Sequence, residues 1–448
     1  MKRIVWTFWI FVLALSVLWL FADTLWPAQP GYFAVRTAWI QYSGVLAIGA
    51  MSLAMVLATR PKWLEQGFNG LDKMYRLHKW LGIAALATAT AHWLLAQGTK
   101  WAVGWGWLTR PGRRARGAGE SAGGVESILR DWRGLAESVG EWAFYIAAVL
   151  LVLALVRRFP YRLFAKTHHW LAVAYLVLVF HSVVLVKFAY WAQPVGWALA
   201  VLLASGTFSA AYVLLGRVGA RRTSHGLIES LQTYPALNVL ETTLRMDADW
   251  PGHRTGQFAF ATSDAREGAH PYTIASAWEP ENGRRITLIT KALGDHTSRL
   301  PERLRVNDRV KIEGPYGCFT FDDDRPRQIW IGAGIGITPF IARMKYLARD
   351  GKPDPRPIDL FHPTSTVDPL AIEKLRADSV AAGVTLHLFA SPQGGLLTGE
   401  HLRAVVPGWR EASVWFCGPA AFGRDLCADL VATGLPREAF HQELFEMR

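Results

Sequence analysis

The sequence predicts a multidomain membrane protein: a six-helix transmembrane bundle, then a small β-barrel, then an α/β domain. Hydrophobic residues make up 51% of the 448 positions, and the mean hydropathy of the whole chain is positive, as membrane spans would produce. The charges are divided unevenly, since residues 1–222 hold 23 Lys and Arg against 8 Asp and Glu, whereas residues 223–448 hold 25 against 28. After Arg222 the long apolar segments give way to short alternating runs, so we place the first domain boundary there.

Six apolar segments account for the transmembrane bundle, and most are near the ~20 residues that cross a bilayer. They cover residues 4–21, 38–58, 77–96, 142–156, 170–188 and 195–215. Lys2 and Arg3 before the first segment would also suit a signal peptide, but its length and its three tryptophans favour a retained anchor.

Basic residues in the short loops predict the orientation of these segments. Lys and Arg precede segment one, follow segment six, and occupy the loops between segments two and three and between four and five. The opposite loops hold only Arg36 and Lys187, apart from the long, Gly- and Arg-rich segment 97–140, and long loops translocate largely regardless of charge. We therefore expect a multi-pass protein integral to the cell membrane, with both termini and all of 223–448 on the cytoplasmic side.

Charge and cysteine patterns exclude several classes of protein. The basic excess belongs to the apolar half and fits loops beside anionic lipid, and the absence of a basic stripe with interleaved aromatics argues against nucleic-acid binding. Cys318, Cys417 and Cys427 form no C-x-x-C motif, so we predict neither a disulfide framework nor an iron–sulfur cluster.

Two of the apolar segments carry histidines at two depths. His78 and His92 are 14 residues apart, which on an ideal helix returns to within about 40° of the starting face and spans roughly 21 Å. Segment five offers His168 or His169 and then His181. Both helices run from inside to outside, so the histidines match in depth, and the pattern predicts two haems with bis-imidazole ligation. A single membrane histidine would be better explained as a hydrogen bond between helices.

Helical geometry does not choose between the adjacent histidines. His168 lies 13 residues before His181 and His169 lies 12 before it, which leave offsets near 140° and 120° on an ideal helix. Either ligand would need local over- or under-winding or a kink. "THHW" parallels "LHKW" at His78, which aligns His168 with His78 and favours His168.

The second half has strand-like runs followed by alternating strands and helices. "LNVLETTLRM", "ITLITKAL" and "RVKIEGPYG" have the pattern of strands, and "HPYTIAS" lies between turn-rich segments. From Gln328 onward, strands alternate with helices, which predicts a parallel α/β domain. Gly332, Gly334 and Gly336 form a G-x-G-x-G turn after a strand, where backbone N–H groups can approach a pyrophosphate; a tight strand-to-helix turn is the plainer alternative.

Taken together, these segments resemble the ferric reductase and NADPH oxidase superfamily over nearly the whole chain. The resemblance implies a ferric-reductase transmembrane domain at 1–222, an FAD-binding β-barrel at 223–325 and an NAD(P)-binding α/β domain at 326–448. The implied FAD-binding residues are His270, Pro271, Tyr272, Thr273, Ser276, Gly294, Thr297 and Phe445. The implied NAD(P)-binding residues are Gly332, Gly334, Gly336, Thr338, Pro339, Cys417, Gly418 and Pro419. The implied ligands of two haem b irons are His78, His92, His168 and His181.

The same resemblance implies an activity and its participants. Electrons would pass from NADPH or NADH to FAD, to the inner haem, to the outer haem, and then to a ferric chelate outside, with no side chain acting as acid or base. Phe445 is expected either to stack on the flavin, with Glu443 near it, or to be a core aromatic. Arg36 would pair with a haem propionate or be an ordinary interfacial arginine.

The sequence departs from the family pattern in two places, and two functions other than ferric reduction stay open. Oxygen-reducing members tend to carry a histidine where this chain has Ala96, which weakens a superoxide-producing alternative. Thr364, Ser365 and Thr366 stand where NADPH users often place an arginine, so the choice between NADPH and NADH is open. A haem module serving a quinone or a protein partner is the other alternative, favoured by the basic segment 97–140.

Overall fold

The computed structural model describes residues 2–29, 31–109, 124–156, 158–264, 266–281, 283–349, 354–390 and 397–443. The chain forms two compact units. We call residues 1–68 with 73–218 the helical unit, and residues 69–72 with 219–447 the sheet unit.

The helical unit consists of long apolar helices with short connecting ones. Its helices are α1 (Lys2–Ala22), α2 (Tyr32–Ala58), α3 (Lys62–Phe68), α4 (Leu71–Gly104), α5 (Val125–Asp131), α6 (Arg133–Leu155), α7 (Tyr161–His169), α8 (Leu171–Leu185) and α9 (Pro194–Leu214). Helices α1, α2, α8 and α9 share a core that includes the buried side chains of Trp19, Val45, Tyr175 and Leu203. The Tyr175 hydroxyl lies 2.9 Å from Ser52 Oγ and ties α8 to α2 at the centre of this core.

Five helices in the described part of the chain are long and apolar enough to cross a membrane. They correspond to the predicted segments except 77–96, which lies within α4. Helix α4 has 34 residues, ample for a span at ~1.5 Å per residue, but its histidines and its polar ends lower its hydropathy. Helix α6 begins at Arg133, nine residues before the predicted segment, because its first turns are polar and still helical.

The predicted fifth segment is divided at Trp170 between α7 and α8. The Trp170 N–H bonds to Thr167 O at 3.1 Å, and the Val173 N–H bonds to Trp170 O at 3.1 Å, which are i→i+3 bonds of a tightened turn. Each residue wound at three per turn adds about 20° to the ideal α-helical rotation. This overwinding turns His168 part of the way toward the face of His181.

The sheet unit begins with six antiparallel strands. They are β1 (Thr223–Tyr234), β2 (Val239–Met246), β3 (Phe258–Thr262), β4 (His270–Thr273), β5 (Arg285–Lys291) and β6 (Arg309–Tyr316), in the order β4-β3-β6-β1-β2-β5. Strand β2 alternates buried and partly exposed residues, as a half-buried strand should. A bridge between Ile274 and Leu288 joins the continuation of β4 to β5, so the two edges of the sheet meet around a core that includes Ile228 and Ile312.

A five-stranded parallel sheet completes the sheet unit. Its strands are β7 (Gln328–Gly332), β8 (Ile358–Thr364), β9 (Thr385–Ala390), β10 (Ser413–Cys417) and β11 (Phe440–Gln442), in the order β11-β10-β7-β8-β9. The helices of this unit are α10 (Asp295–Ser298), α11 (Leu300–Arg303), α12 (Thr338–Arg349), α13 (Pro369–Ala382), α14 (Gly399–Val405) and α15 (Ala420–Ala432). Every residue of β7 and β10 is buried, as expected of strands covered on both faces.

A buried histidine beside β4 predicts how the stability of this unit depends on pH. Burial lowers the pKa of His253 from 6.5 to about 4, although its Nε2–H donates to Ser276 O at 2.9 Å. Below about pH 6.5 the imidazole of His253 is protonated in the unfolded chain but stays neutral in the folded chain. The free energy of unfolding therefore falls as the pH drops below about 6.5. We expect the free energy of unfolding to fall by about 2 kcal/mol, because of His253, as the pH drops from about 7.5 to about 5.

Thermal melting of wild type and His253→Gln at both pH values measures this effect. Glutamine keeps a donor for Ser276 O but cannot be protonated, so the variant should lose less of its melting temperature on acidification. An equal loss in the two proteins would show that His253 does not control the pH dependence.

Candidate functional site

The structure brings the four predicted histidines of the helical unit together as two pairs. The ring centroids of His78 and His168 are 5.8 Å apart, and those of His92 and His181 are 6.2 Å apart. An iron bonded to two imidazoles at about 2 Å, the usual metal–nitrogen distance, holds their centroids about 6 Å apart. Both pairs therefore have the separation that one metal ion between them requires.

Backbone carbonyls fix the orientation of three of these rings. The Nδ1 atoms of His78, His92 and His181 lie 3.0, 2.9 and 2.8 Å from Ala54 O, Ile40 O and Ala136 O respectively. A carbonyl can only accept, so Nδ1 carries the proton and Nε2 keeps a lone pair for a metal. Sequence reasoning missed these carbonyl partners, because main-chain acceptors on neighbouring helices leave no mark in the sequence.

The structure places His168, and not its neighbour, beside His78. His168 Nδ1 is buried and has no hydrogen-bond partner among the residues that the structure describes, and the Phe164 ring lies 5.0 Å away. His169 is exposed at the end of α7. A buried imidazole that faces a second imidazole suits metal ligation. The exposed imidazole of His169 can instead form hydrogen bonds with water.

Glycines let neighbouring helices approach the second pair of rings. A Cβ atom added to Gly140 on α6 would overlap the His181 ring, and one added to Gly44 on α2 would lie 3.2 Å from the His92 ring. At Gly140 only a residue without a side chain leaves the ring in place, whereas a Cβ at Gly44 would require the His92 ring to shift by a few tenths of an ångström. Both glycines therefore belong to the site. The sequence holds 40 glycines and gives no reason to select these two.

A cavity of about 380 Å³ surrounds the His92–His181 pair. Its walls are mostly apolar, and its polar lining includes Arg36, Gln97, Lys100, Arg133 and Glu137. Arg36 Nε donates to Leu95 O at 2.9 Å, so its guanidinium is held against the last turns of α4 next to Ala96. An apolar cavity with two imidazoles inside and cations at its rim suits a flat apolar cofactor with acidic groups, which is the chemistry of haem.

Two imidazole nitrogens in each pair suit a metal whose other ligands come from a cofactor. In the described parts of the chain, no group of three or more His, Cys, Asp or Glu side chains could hold a metal ion. Each pair of rings supplies two nitrogens, which are enough for an iron already held by a porphyrin. The residues of the helical unit therefore fit two haems.

The predicted flavin residues lie around β4 and the loop that follows β5. Thr297 Oγ1 accepts the N–H groups of Leu293 and Gly294 at 2.9 and 3.2 Å, which shapes this loop, and a Cβ at Gly294 would meet open space. Ser276 has a structural contact, since its Oγ accepts the Thr287 N–H at 3.0 Å. Phe445 lies outside the described residues.

His296, which the prediction left out, lies against His270. The two imidazoles stack with centroids 4.0 Å apart and planes 9° apart, bringing HPYT beside the loop after β5. Burial, together with the neighbouring His296, lowers the pKa of His270 to about 4, so the ring is neutral near pH 7. His296 stands inside the motif GDHT, so its position in that stretch was the available signal.

The predicted nucleotide residues come together where β7 and β10 end side by side. Gly332 pairs with Cys417, and the Ala333 N–H donates to Cys417 O at 2.9 Å. A Cβ on Gly336 would overlap the backbone at Cys417, whereas Gly334, at φ +57°, faces open space. Two turns from distant parts of the chain thus lie side by side, with Gly334 and Gly418 partly exposed, and such glycine backbone suits a pyrophosphate.

Thr338, Pro339 and Cys417 are buried beside these turns, whereas Gly418 is partly exposed and Pro419 is exposed. Thr338 Oγ1 donates to Ile335 O at 2.7 Å, and Pro339 lies in the first turn of α12. Burial, together with the negative charge of Glu443, raises the pKa of the Cys417 thiol, so the thiol stays protonated. His362, which the prediction missed, lies with its Nδ1 2.6 Å from Gly332 O and supports the glycine turn from β8.

Comparison with known proteins adds family evidence to this geometry. Residues 43–179 match the family described as ferric reductase like transmembrane component. A flavohemoprotein of Pseudomonas aeruginosa is 28% identical over 41% of this chain and 48% of its own length. The ferredoxin reductase component of a 3-ketosteroid-9-alpha-monooxygenase from Rhodococcus rhodochrous is 24% identical over 43% and 56%.

The heavy chain of a superoxide-generating NADPH oxidase from Dictyostelium discoideum is 23% identical over 46% of this chain and 42% of its own length. This chain thus spans about half the length of the curated relatives that it matches. Fold and site define a membrane protein with several apolar helices and a reductase-like second half. The chain carries a ferric-reductase-like transmembrane component, and its homologues, which include NADPH oxidases and flavohemoproteins, are oxidoreductases, as the sequence predicted.

Proposed function

We propose that this protein transfers electrons from cytoplasmic NAD(P)H, through FAD and two b-type haems, to ferric iron on the outer side of the cell membrane. The observation that carries the proposal is the pairing of His78 with His168 and of His92 with His181, each at the separation that one iron requires. Flavin, when bound, takes two electrons from a nicotinamide and gives them up singly, which is what haem iron can accept.

The helices supply orientation and an apolar environment. The carbonyls of Ala54, Ile40 and Ala136 hold three imidazoles with Nε2 available, so little rearrangement is needed when the iron binds. Apolar walls around the rings keep water away, and the shielding of the metal site from water is one of the features that set its potential. Arg36 and Lys100 at the cavity rim would neutralise acidic groups of the cofactor.

The arrangement in the membrane follows from the helices and the basic loops. We propose that α4 is the sixth span, alongside the five apolar helices, because it carries two of the histidines that must lie within the bundle. Both termini are then cytoplasmic. The domains would be 1–222 in the membrane, 223–325 for FAD, formed by the six-stranded sheet closed as a barrel, and 326–448 for NAD(P)H.

The sheet unit would hold its two cofactors at neighbouring places. His270, Pro271, Tyr272, Thr273, Gly294 and Thr297 surround the proposed flavin site, and Ser276 holds β4 against β5. The turns at Gly332–Gly336 and Cys417–Pro419 would receive the nicotinamide nucleotide. The side chains named here position the cofactors, and none is assigned as an acid or a base.

Ferric iron is proposed as the acceptor because Ala96 lines the cavity at the point where oxygen-reducing members of the superfamily tend to carry histidine. Oxygen is the alternative acceptor, and a quinone or protein partner is a further one. All three share the same path through the protein and differ only in the last transfer.

Anaerobic addition of NADPH or NADH to purified, FAD-loaded protein tests the proposal. We expect the absorption bands of reduced b-type haem to appear within the time of mixing, and a ferric chelate then to reoxidise them. Protein purified with haem supplied during growth but without haem bands would contradict the assignment of the histidines. Reoxidation by oxygen or a quinone, with none by ferric chelate, would replace the proposed acceptor.

A further inference from the structure

A cleft of about 110 Å³ in the sheet unit lies between the antiparallel sheet and the parallel sheet. Gly334 and Ile335 of the glycine turn line it, as do Thr364 and Thr366 at the end of β8. Three lysines from distant parts of the chain, Lys291 on β5, Lys345 on α12 and Lys374 on α13, also line it. A cleft that joins a glycine turn to three cations is suited to an anionic ligand.

An acidic side chain holds one of these lysines in the structure. Lys374 Nζ lies 3.0 Å from Glu241 Oε2 and donates to the Tyr234 hydroxyl at 2.8 Å, and that hydroxyl donates to Glu241 Oε2 at 2.9 Å. Glu241 and Tyr234 belong to β2 and β1, whereas Lys374 belongs to α13, so the triad joins the antiparallel sheet to α13 across the cleft. The Glu241 side chain is 18% exposed and that of Lys374 46%, so the lysine is open to a ligand on one side.

Two further carboxylates, Asp368 and Asp378, line the cleft besides Glu241. Lys345 lies close enough to act electrostatically on both Glu241 and Asp378. Burial raises the pKa of Asp378, and Asp368 is engaged as the N-cap of α13, where its Oδ1 accepts the Ala371 N–H at 3.1 Å. Three lysines and three carboxylates thus line the cleft, and Glu241 is the carboxylate that holds Lys374.

We propose that Lys374, with Lys345 beside it, binds a phosphate of the nicotinamide nucleotide, and that Glu241 occupies Lys374 until the phosphate displaces it. This inference rests on the proposed function, because it concerns the donor of that reaction. A phosphate monoester carries about 1.5 to 2 negative charges at neutral pH, and a pyrophosphate carries charge on both of its phosphates, so either competes with a single carboxylate. Tyr234 would keep its contact with Glu241 when Lys374 turns away.

Substitutions of Glu241 and of Lys374 should change nucleotide binding in opposite directions if Lys374 binds the ligand. They should change it in the same direction if the ion pair is only structural. If Glu241 competes with phosphate, Glu241→Gln should bind nucleotide several times more tightly, whereas Lys374→Met should weaken binding about tenfold. If the Lys374–Glu241 ion pair only holds α13 against β2, both variants lose this contact and both should bind nucleotide more weakly. Lys311→Met on the exposed side of β6 is a matched control for the loss of one positive charge.

The experiment measures binding of 2′,5′-ADP and of 5′-ADP to full-length, FAD-loaded protein by titration calorimetry. Retained flavin content and melting temperature show that each variant folds, and Lys374→Arg, which keeps the charge, should bind nearly as wild type does. An effect confined to 2′,5′-ADP places the 2′-phosphate at Lys374. An effect confined to 5′-ADP, the probe that carries a pyrophosphate, places the pyrophosphate there, and an equal effect on both probes places the 5′-phosphate that they share there.

Unchanged binding in Lys374→Met, or weaker binding in Glu241→Gln, would overturn the inference. Failure of the proposed function is a different result: the wild-type flavin would then not be reduced by NADPH or by NADH. If the wild-type flavin is reduced normally and the variants bind both probes as tightly as the wild type does, only the role of Lys374 is rejected.

Discussion

A His168→Ala variant is expected to lose one of the two proposed haems, so its haem-to-protein ratio should fall to about half of the wild-type value. The reason is that His168 faces His78 with ring centroids 5.8 Å apart, and alanine leaves that iron with one protein ligand. Pyridine haemochrome assay of the purified protein gives the ratio. A redox titration then shows whether one of two components has disappeared.

His169→Ala is the matched control for this variant. It removes the same side chain from the adjacent residue, but His169 is exposed, so full haem content is expected. If the His169 variant loses a haem while the His168 variant retains both, the structure has the wrong histidine beside His78.

Gly140→Val is expected to remove the other haem. Any Cβ at this position overlaps the His181 ring, whose Nδ1 is also 2.8 Å from Ala136 O on the same helix. The ring must leave its carbonyl partner, and the cavity that it shares with His92 is then partly filled by the valine. We expect the haem content to fall to about half, with the His78–His168 component unchanged in redox titration.

Gly134→Val provides the comparison on the same helix. A Cβ at Gly134 has nothing within 4 Å, so the substitution adds the same side chain without displacing a histidine. Equal haem loss in the two variants would mean that valine disturbs α6 in general, and the role given to Gly140 would be withdrawn.

The sequence was sufficient for the general plan because that plan depends on local patterns. Apolar segments of bilayer length, the change of pattern after Arg222, and glycines at the end of a strand are all visible without knowledge of contacts. The histidines at positions 78, 92 and 181 were identified in the same way, since each interrupts an apolar helix. The resemblance then supplied the order of the modules, and the ferric-reductase-like match at 43–179 confirmed the membrane component.

The span that includes His78 and His92 shows where hydropathy fails. The same histidines that mark the site lower the hydropathy of α4, so the feature that identifies its function obscures its place in the membrane. The pattern of histidines was a better guide to this helix than its composition.

Only the tertiary structure decided which residues surround these histidines. The choice of His168 depended on its contact with His78 on another helix, and the carbonyls of Ala54, Ile40 and Ala136 depended on how neighbouring helices pack. Lys374 and Glu241 lie 133 residues apart and meet between α13 and β2. The sequence by itself determined which histidines interrupt the apolar segments and how far apart they stand, because periodicity and hydrophobicity are local. Partners depend on packing between distant segments, and single residues such as Gly140 or Glu241 carry no local pattern that would reveal them.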